Sequence, residues 1–269
     1  MKSISVALLP GTLSAGLDRS KTCAVVIDVL RATSVMTTAG AAGAATIRTC
    51  EQTERARQIA TESTPTALLC GERECKPIAG FDLGNSPAEY GPDRLAGRDL
   101  VLTTTNGTRA IRAVQDCRRL LVSSFLNLQA TIDAIESETQ LQFVCAGTNG
   151  EISYEDVLLA GAIVQRLNPS SQHDLIDDSA RIAMAAWQQS GAAGDRGHQA
   201  LRTALGQSLG GRNLASVGFA ADIDRCARID TISGIVTRAE RSSSADSDVT
   251  TFRYANPSGS VPAATSSSH

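Results

Sequence analysis

The chain is poor in aromatic residues, histidine and lysine, and each shortage closes off some chemistry. Aromatics make up 3% of 269 residues, so the core has to be built from Ala, Val, Ile and Leu. Histidine occurs only at His173, His198 and the final position, His269; imidazole-rich metal centres and phosphohistidine schemes lack their residues. Lysine occurs only at Lys2, Lys21 and Lys76, and the remaining basic charge is arginine. There is no G-x-G, which removes the dinucleotide fingerprint, and no Gly-Lys pair, which removes the P-loop. No run approaches the roughly 18–20 apolar residues of a membrane-spanning helix. Met1–Leu9 is too short and wrongly flanked for a signal peptide. Seven cysteines, an odd number from Cys23 to Cys226, read as reduced thiols rather than a disulfide framework. Cys70 and Cys75, in C-G-E-R-E-C, do not match the paired Cys-x2-Cys zinc pattern. A formal net charge of −3, from 25 basic and 28 acidic residues, lacks the basic field of a general nucleic-acid binder. The expectation is a soluble, cytoplasmic protein with neither nucleic-acid nor membrane partners.

What remains is a globular α/β chain, 42% hydrophobic and 20% charged. Short apolar runs alternate with helical patterns. Strands are expected at Ser5–Leu9, Cys23–Val29, Ala45–Arg48, Ala67–Gly71, Leu100–Thr104, Leu120–Ser123 and Leu141–Ala146. Helices are expected at Ser34–Ala42, Glu51–Thr61, Thr108–Asp116, Gln129–Glu136 and Glu151–Leu167. From Asp174 to Arg228 the pattern is mainly helical, with Leu175, Ile182 and Ala186 on one stripe, and Ser233–Arg238 reads as a further strand. From Ser242 onward the chain is Ser/Thr/Ala/Pro-rich with few large apolar groups, the composition of a disordered tail. The expected organisation is one domain over 1–241 and a tail over 242–269.

Several strands end in polar turns that lead into helices, and ligands of open α/β sheets bind outside such carboxyl ends. Asp28 closes an otherwise apolar run and needs a partner there, because an unpaired buried charge costs several kcal/mol. It reads as a ligand for a hard cation, Mg²⁺ by default, as a general base or nucleophile, or as an N-cap or a structural partner of Arg31. Thr105, Asn106, Gly107, Thr108 and Arg109 stand where a strand turns into a helix, suited to an anion through free amides, hydroxyls and a guanidinium. An Asx turn with threonine capping is the plainer reading. Glu72 and Arg73 lie at a strand end and are assigned to the site. Glu74 and Lys76 read as solvated loop residues, and Asn85 and Ser86 as part of a loop around a polar ligand. Cys145 reads as a core thiol. Glu151 and Asp156 lie near a helix start, where negative charge is favoured. His173 and His198 read as surface residues.

Several strings together resemble the 2-phosphosulfolactate phosphatase family. They are Asp28-Val-Leu-Arg-Ala-Thr-Ser34, Gly71-Glu-Arg73, Gly80-Phe-Asp-Leu-Gly-Asn-Ser-Pro87, Thr103-Thr-Thr-Asn-Gly-Thr-Arg-Ala110 and Ser124-Phe-Leu-Asn127. Val144-Cys-Ala-Gly147, Glu155-Asp-Val-Leu158, Asp177-Asp-Ser-Ala180 and Asp222-Ile-Asp-Arg-Cys-Ala227 continue in the same order. The likeness covers Ser5 to about Arg238. A departure is Glu74-Cys-Lys-Pro77, where a glycine-containing loop is expected.

The resemblance implies a three-layer α/β/α sandwich with a mostly parallel or mixed sheet. It also implies a Mg²⁺-dependent phosphatase that hydrolyses 2-phospho-3-sulfolactate to 3-sulfolactate and phosphate, a step of coenzyme M synthesis. In this reading Asp28, Arg31 and Glu72 are catalytic, and Asp28 and Glu72 hold the metal. Arg73, Asn85, Ser86, Thr105, Asn106, Gly107, Thr108, Arg109 and Glu151 bind a small polyanionic phosphate ester. Arg31, Arg73 and Arg109 supply the charge, and a homodimer is expected. Another small phosphorylated hydroxy-acid as substrate, or a non-catalytic anion-binding module, are the alternatives.

Overall fold

The computed structural model describes residues 2–167, 175–194, 197–239 and 248–256. Its strands are β1 (Ser3–Ala7), β2 (Cys23–Ile27), β3 (Thr46–Thr49), β4 (Leu68–Arg73), β5 (Lys76–Pro77), β6 (Asp99–Thr103), β7 (Arg119–Ser123), β8 (Gln140–Cys145), β9 (Leu175–Ile176), β10 (Ile235–Arg238) and β11 (Thr250–Ala255). The helices are α1 (Ala32–Ala41), α2 (Thr53–Glu62), α3 (Pro92–Leu95), α4 (Gly107–Ala113), α5 (Leu128–Ile135), α6 (Tyr154–Arg166), α7 (Asp178–Gln189), α8 (Gly197–Gln207), α9 (Leu209–Ser216) and α10 (Ala220–Cys226). The expected α/β class holds, with element ends shifted by a few residues.

One sheet orders the strands β5-β4-β6-β3-β11-β10-β7-β2-β8-β1-β9. Two parallel blocks, β4/β6/β3 and β7/β2/β8/β1/β9, are joined through β11 and β10, which pair antiparallel with each other and with their neighbours. β2 is buried on both faces, as its Cys-Ala-Val-Val-Ile run requires. Ala24 and Val26 face one core with Val35, Met36 and Ala39 of α1 and Ala110 and Ile111 of α4. Cys23, Val25 and Ile27 face the other, with α5, α6, α7 and α8. α2 covers the outer side of β6 through Ala56, Ile59 and Ala60 against Val101.

α1 touches β3, β11, β10 and β7, so the sheet curls around it. Right-handed twist of about 20–25° per strand step accumulates to about 100–125° over the five steps from β6 to β2. The curl brings the carboxyl ends of the two blocks together, although they lie far apart along the ladder.

Two expectations are corrected. The tail contains β11, whose Thr250 and Phe252 are buried between β3 and β10; alternating Thr250, Phe252 and Tyr254 supply the period-two face that bulk composition obscured. The rest of the expected tail, 242–247 and 257–269, lies outside the described residues, as do His173, Asp174 and His269. The stripe of Leu175 and Ile182 faces outward, at 60% and 57% exposure. α7 instead buries Ala180, Ala183 and Trp187; two of the three are alanines, which let it lie close on α6.

Candidate active site

Asp28 follows β2 directly and is 7% exposed. Its Oδ1 accepts from the Ala32 amide at 3.1 Å, its own amide donates to Thr33 Oγ1 at 3.1 Å, and its carbonyl accepts from Thr33 Oγ1 at 2.8 Å. The carboxylate thereby caps the first turn of α1 with one oxygen. The other lies against Gly107, where a Cβ would come within 2.7 Å of Oδ2 and 2.6 Å of the Ala32 Cβ. Only glycine allows the β6–α4 turn so close to Asp28. Burial, with Glu72 and Glu155 nearby, pushes the Asp28 carboxyl up to about 7, against the pull of the Ala32 amide and Arg31.

Arg31 is buried and pairs with Asp222, Nη1 to Oδ2 at 2.7 Å, and Ser86 Oγ donates to Asp222 Oδ1 at 2.7 Å. Its Nη2 donates to the Cys75 carbonyl at 2.9 Å, and the guanidinium lies 4.5 Å over the Phe219 ring. The structural partner considered for Asp28 is thus engaged by Asp222 of α10.

Glu72 ties two loops together, accepting from the Cys75 amide through Oε2 and from the Thr105 amide through Oε1, both at 2.8 Å. Arg73 donates to the carbonyls of Glu72 and Glu51 and to Thr103 Oγ1. Asn106 Oδ1 accepts from the Asn149 amide at 3.2 Å, linking the β6 turn to the β8 turn. Thr108 donates through its amide to Thr104 Oγ1 at 3.3 Å and through Oγ1 to the Thr104 carbonyl at 2.6 Å, the capping that the plainer reading of this stretch foresees.

These groups surround a cleft of about 510 Å³. Of the residues proposed from sequence, Asp28, Arg31, Glu72, Arg73, Asn85, Thr105 and Asn106 line it. Gly107 and Thr108 are buried beside it, and Ser86 acts from behind through Asp222. Arg109 and Glu151 are exposed and lie outside its lining, so Arg31 and Arg73 remain of the three arginines. Sequence reasoning assigned Glu74 and Lys76 to solvent, yet both line the cleft. It also missed Asn149 and the wall formed by Gly210, Asn213, Leu214, Ser216 and Val217 on and after α9. Asn149 stands in the second Thr-Asn-Gly of the chain, a usable signal; the α9 wall carries none.

Behind the cleft, Asp156 accepts from the amides of Val29 at 2.8 Å and Gly147 at 3.1 Å, clamping the turns after β2 and β8. Its carboxyl is pushed well above the usual range by burial and by Glu155 and Asp28. Asp156 therefore does more than complement the dipole of α6, whereas Glu151 is exposed and precedes the helix. Cys145 is fully buried and its thiol is raised by that burial, as befits a core residue. His198 is at the surface, 3.8 Å from Asp224.

Among the described residues no three acids, cysteines or histidines converge as a ready-made metal cage. The donors at the cleft are oxygens. Asn85 Oδ1 and Thr105 Oγ1 are buried without a hydrogen-bond partner, and Asp28 Oδ2 accepts no hydrogen bond among the described residues. Such a set suits Mg²⁺, which takes one or two carboxylates and keeps several waters or substrate oxygens.

An α/β chain with an oxyanion-ready, carboxylate-bearing cleft at converging strand ends has the makings of an enzyme acting on a small anion. The profile of the 2-phosphosulpholactate phosphatase family matches residues 10–241, and the chain belongs to that family. It is 39% identical over 217 residues to a probable 2-phosphosulfolactate phosphatase of Thermotoga petrophila, covering 80% of this chain and 88% of that one. To one of Pseudothermotoga lettingae it is 40% identical over 230 residues, 86% and 93% of the two chains. To one of Deinococcus radiodurans it is 40% identical over 212 residues, 77% and 84%. No helix among the described residues is long and apolar enough to cross a membrane.

Proposed function

We propose that this protein hydrolyses 2-phospho-3-sulfolactate to 3-sulfolactate and phosphate with Mg²⁺ as cofactor. The observation that supports it most is the meeting of Asp28 with Arg31, Glu72, Thr105 and Asn106 in one polar cleft, from strands well separated in the sheet. The same reading takes the enzyme as cytoplasmic and dimeric.

Hydrolysis breaks the ester P–O bond and adds water across it, one proton leaving the attacking water and one reaching the leaving alkoxide. Phosphate monoesters react so slowly unaided, with enzymes supplying up to ~10²¹-fold, that charge stabilisation has to dominate over proton transfer, worth about 10²–10⁴. Thr105 Oγ1 and the Asn106 side chain supply donors at the β6 turn. Arg31 and Arg73 line the same cleft with guanidiniums held by Asp222 and by backbone carbonyls, so they shape it more than they add free charge. Glu72 holds the Thr105 amide and the hairpin turn in place. Asp28 Oδ2 is the oxygen of its carboxylate left free by the Ala32 amide, and it is the one that would serve the ion. Asp28 and Glu72 would hold the ion, with Asn85 Oδ1 and Thr105 Oγ1 as neutral oxygens beside them. When bound, Mg²⁺ polarises the phosphoryl oxygens and neutralises charge that develops there.

Phosphate release from synthetic 2-phospho-3-sulfolactate tests this. Turnover should be lost in excess EDTA and restored by added Mg²⁺, and Asp28→Asn should lower kcat by about 10³-fold or more. Full activity in chelator would remove the metal from the mechanism. Turnover of other phosphorylated hydroxy-acids but not of this one would replace the substrate.

A further inference from the structure

We infer that Lys76 is the residue that recognises the second strong anion of the substrate, the sulfonate of the ester above; the inference rests on that functional reading. Three cationic side chains line the cleft: Arg31, Arg73 and Lys76. The Arg31 charge is matched by buried Asp222 at 2.7 Å. Arg73 has its guanidinium taken up by two carbonyls and the Thr103 hydroxyl. Lys76 is exposed and its ammonium meets no acceptor among the described residues.

The root of Lys76 is nevertheless fixed. It faces Arg73 across the β4–β5 hairpin, closed by Glu74 and Cys75, both in the left-handed region at φ 52° and 63°. The Cys75 amide is bonded to Glu72 Oε2 at 2.8 Å and its carbonyl to Arg31 Nη2 at 2.9 Å. A tethered, exposed turn thus carries a free ammonium on a flexible stem, while buried Asp28 and half-buried Thr105 and Asn106 line the part of the same cleft where the phosphate would sit. A sulfonate is permanently charged and presents three equivalent oxygens, which a compact ammonium with three donors meets without a planar fork. The charge that sequence reasoning assigned to Arg109 comes from Lys76.

The test compares the Mg²⁺-supplemented wild type with Lys76→Met and Lys76→Arg on 2-phospho-3-sulfolactate and on 2-phospholactate, which lacks the sulfonate. Lys76→Met should raise KM for the sulfonate ester about five- to tenfold with kcat within twofold. KM for phospholactate should stay within twofold, and Lys76→Arg should recover most of the loss. KM for the sulfonate ester should also depend less on salt in Lys76→Met. An unchanged KM, an equal rise for both esters, or a fall confined to kcat overturns the assignment. A wild type inactive on both esters overturns the phosphatase reading and this inference with it; one that turns over phospholactate alone overturns the sulfonate assignment.

Discussion

At the scale of single residues, the cleft is governed by how its charges are housed. Asp28 was conspicuous in the sequence because an acid interrupts an apolar strand run, and that visibility has a physical basis: the position is buried, so the charge is costly. Arg31 was equally visible, but its partner was not. Asp222 lies 191 positions away, and no local spacing connects them. The housing of Asp28 has a consequence for stability in metal-free protein. The folded chain holds the Asp28 proton to about 7, whereas an unperturbed aspartate releases it near 3.8. Across that window the native state binds more protons than the unfolded state, so unfolding free energy falls as pH climbs from about 4 to 7 and levels off above. Asp28→Asn keeps an oxygen for the Ala32 amide and carries no charge. In EDTA it should be more stable than the wild type at pH 8 by an amount on the order of a few kcal/mol, with the difference vanishing near pH 4. Urea denaturation at the two pH values measures this, and equal stabilities at pH 8 would show that the Asp28 charge is not penalised.

At the scale of elements, the strand ends were readable and the pieces that complete the cleft were not. β2, β6 and β8 announce themselves by apolar runs followed by Asp28, Thr105-Asn106 and Thr148-Asn149. The α9 wall is an amphipathic helix like any other, and only tertiary placement turns Asn213 and Ser216 toward a ligand. The β4–β5 hairpin lies between these cases. Its departure from a glycine-containing loop was visible, and the structure gives the reason it matters: Glu74 and Cys75 hold a left-handed turn that glycine adopts at little cost. Both hydrogen bonds that tether Cys75 use its backbone, so Cys75→Gly retains them. That variant should be more stable by up to about 1 kcal/mol, seen as a higher denaturation midpoint with unchanged kcat. A loss of stability would mean that the half-buried thiol packs better than the strained backbone costs.

At the scale of the whole molecule, catalysis and folding depend on the same junction. The block that carries Asp28 and the block that carries Glu72 and Thr105 are joined in the sheet only through β10 and β11 among the described residues. Composition hid β11 because serine and threonine around it outweigh one phenylalanine and one tyrosine. In place, Phe252 is fully buried beside Ile47 and Val236 in the core that packs on α1. A chain ending at residue 249 would leave β3 and β10 with unpaired edges in the middle of the sheet, a configuration prone to association. It should accumulate as aggregate rather than as a monomer in size-exclusion chromatography. Phe252→Ala is the graded version and should cost about 3–5 kcal/mol in chemical denaturation. Because no atom of Phe252 lines the cleft, kcat measured well below the melting temperature should stay near that of the wild type. It should fall away at a lower temperature, in step with unfolding. A truncated chain that remained monomeric and active would show that the two blocks meet without β11, and that the curl of the sheet is held by α1 alone.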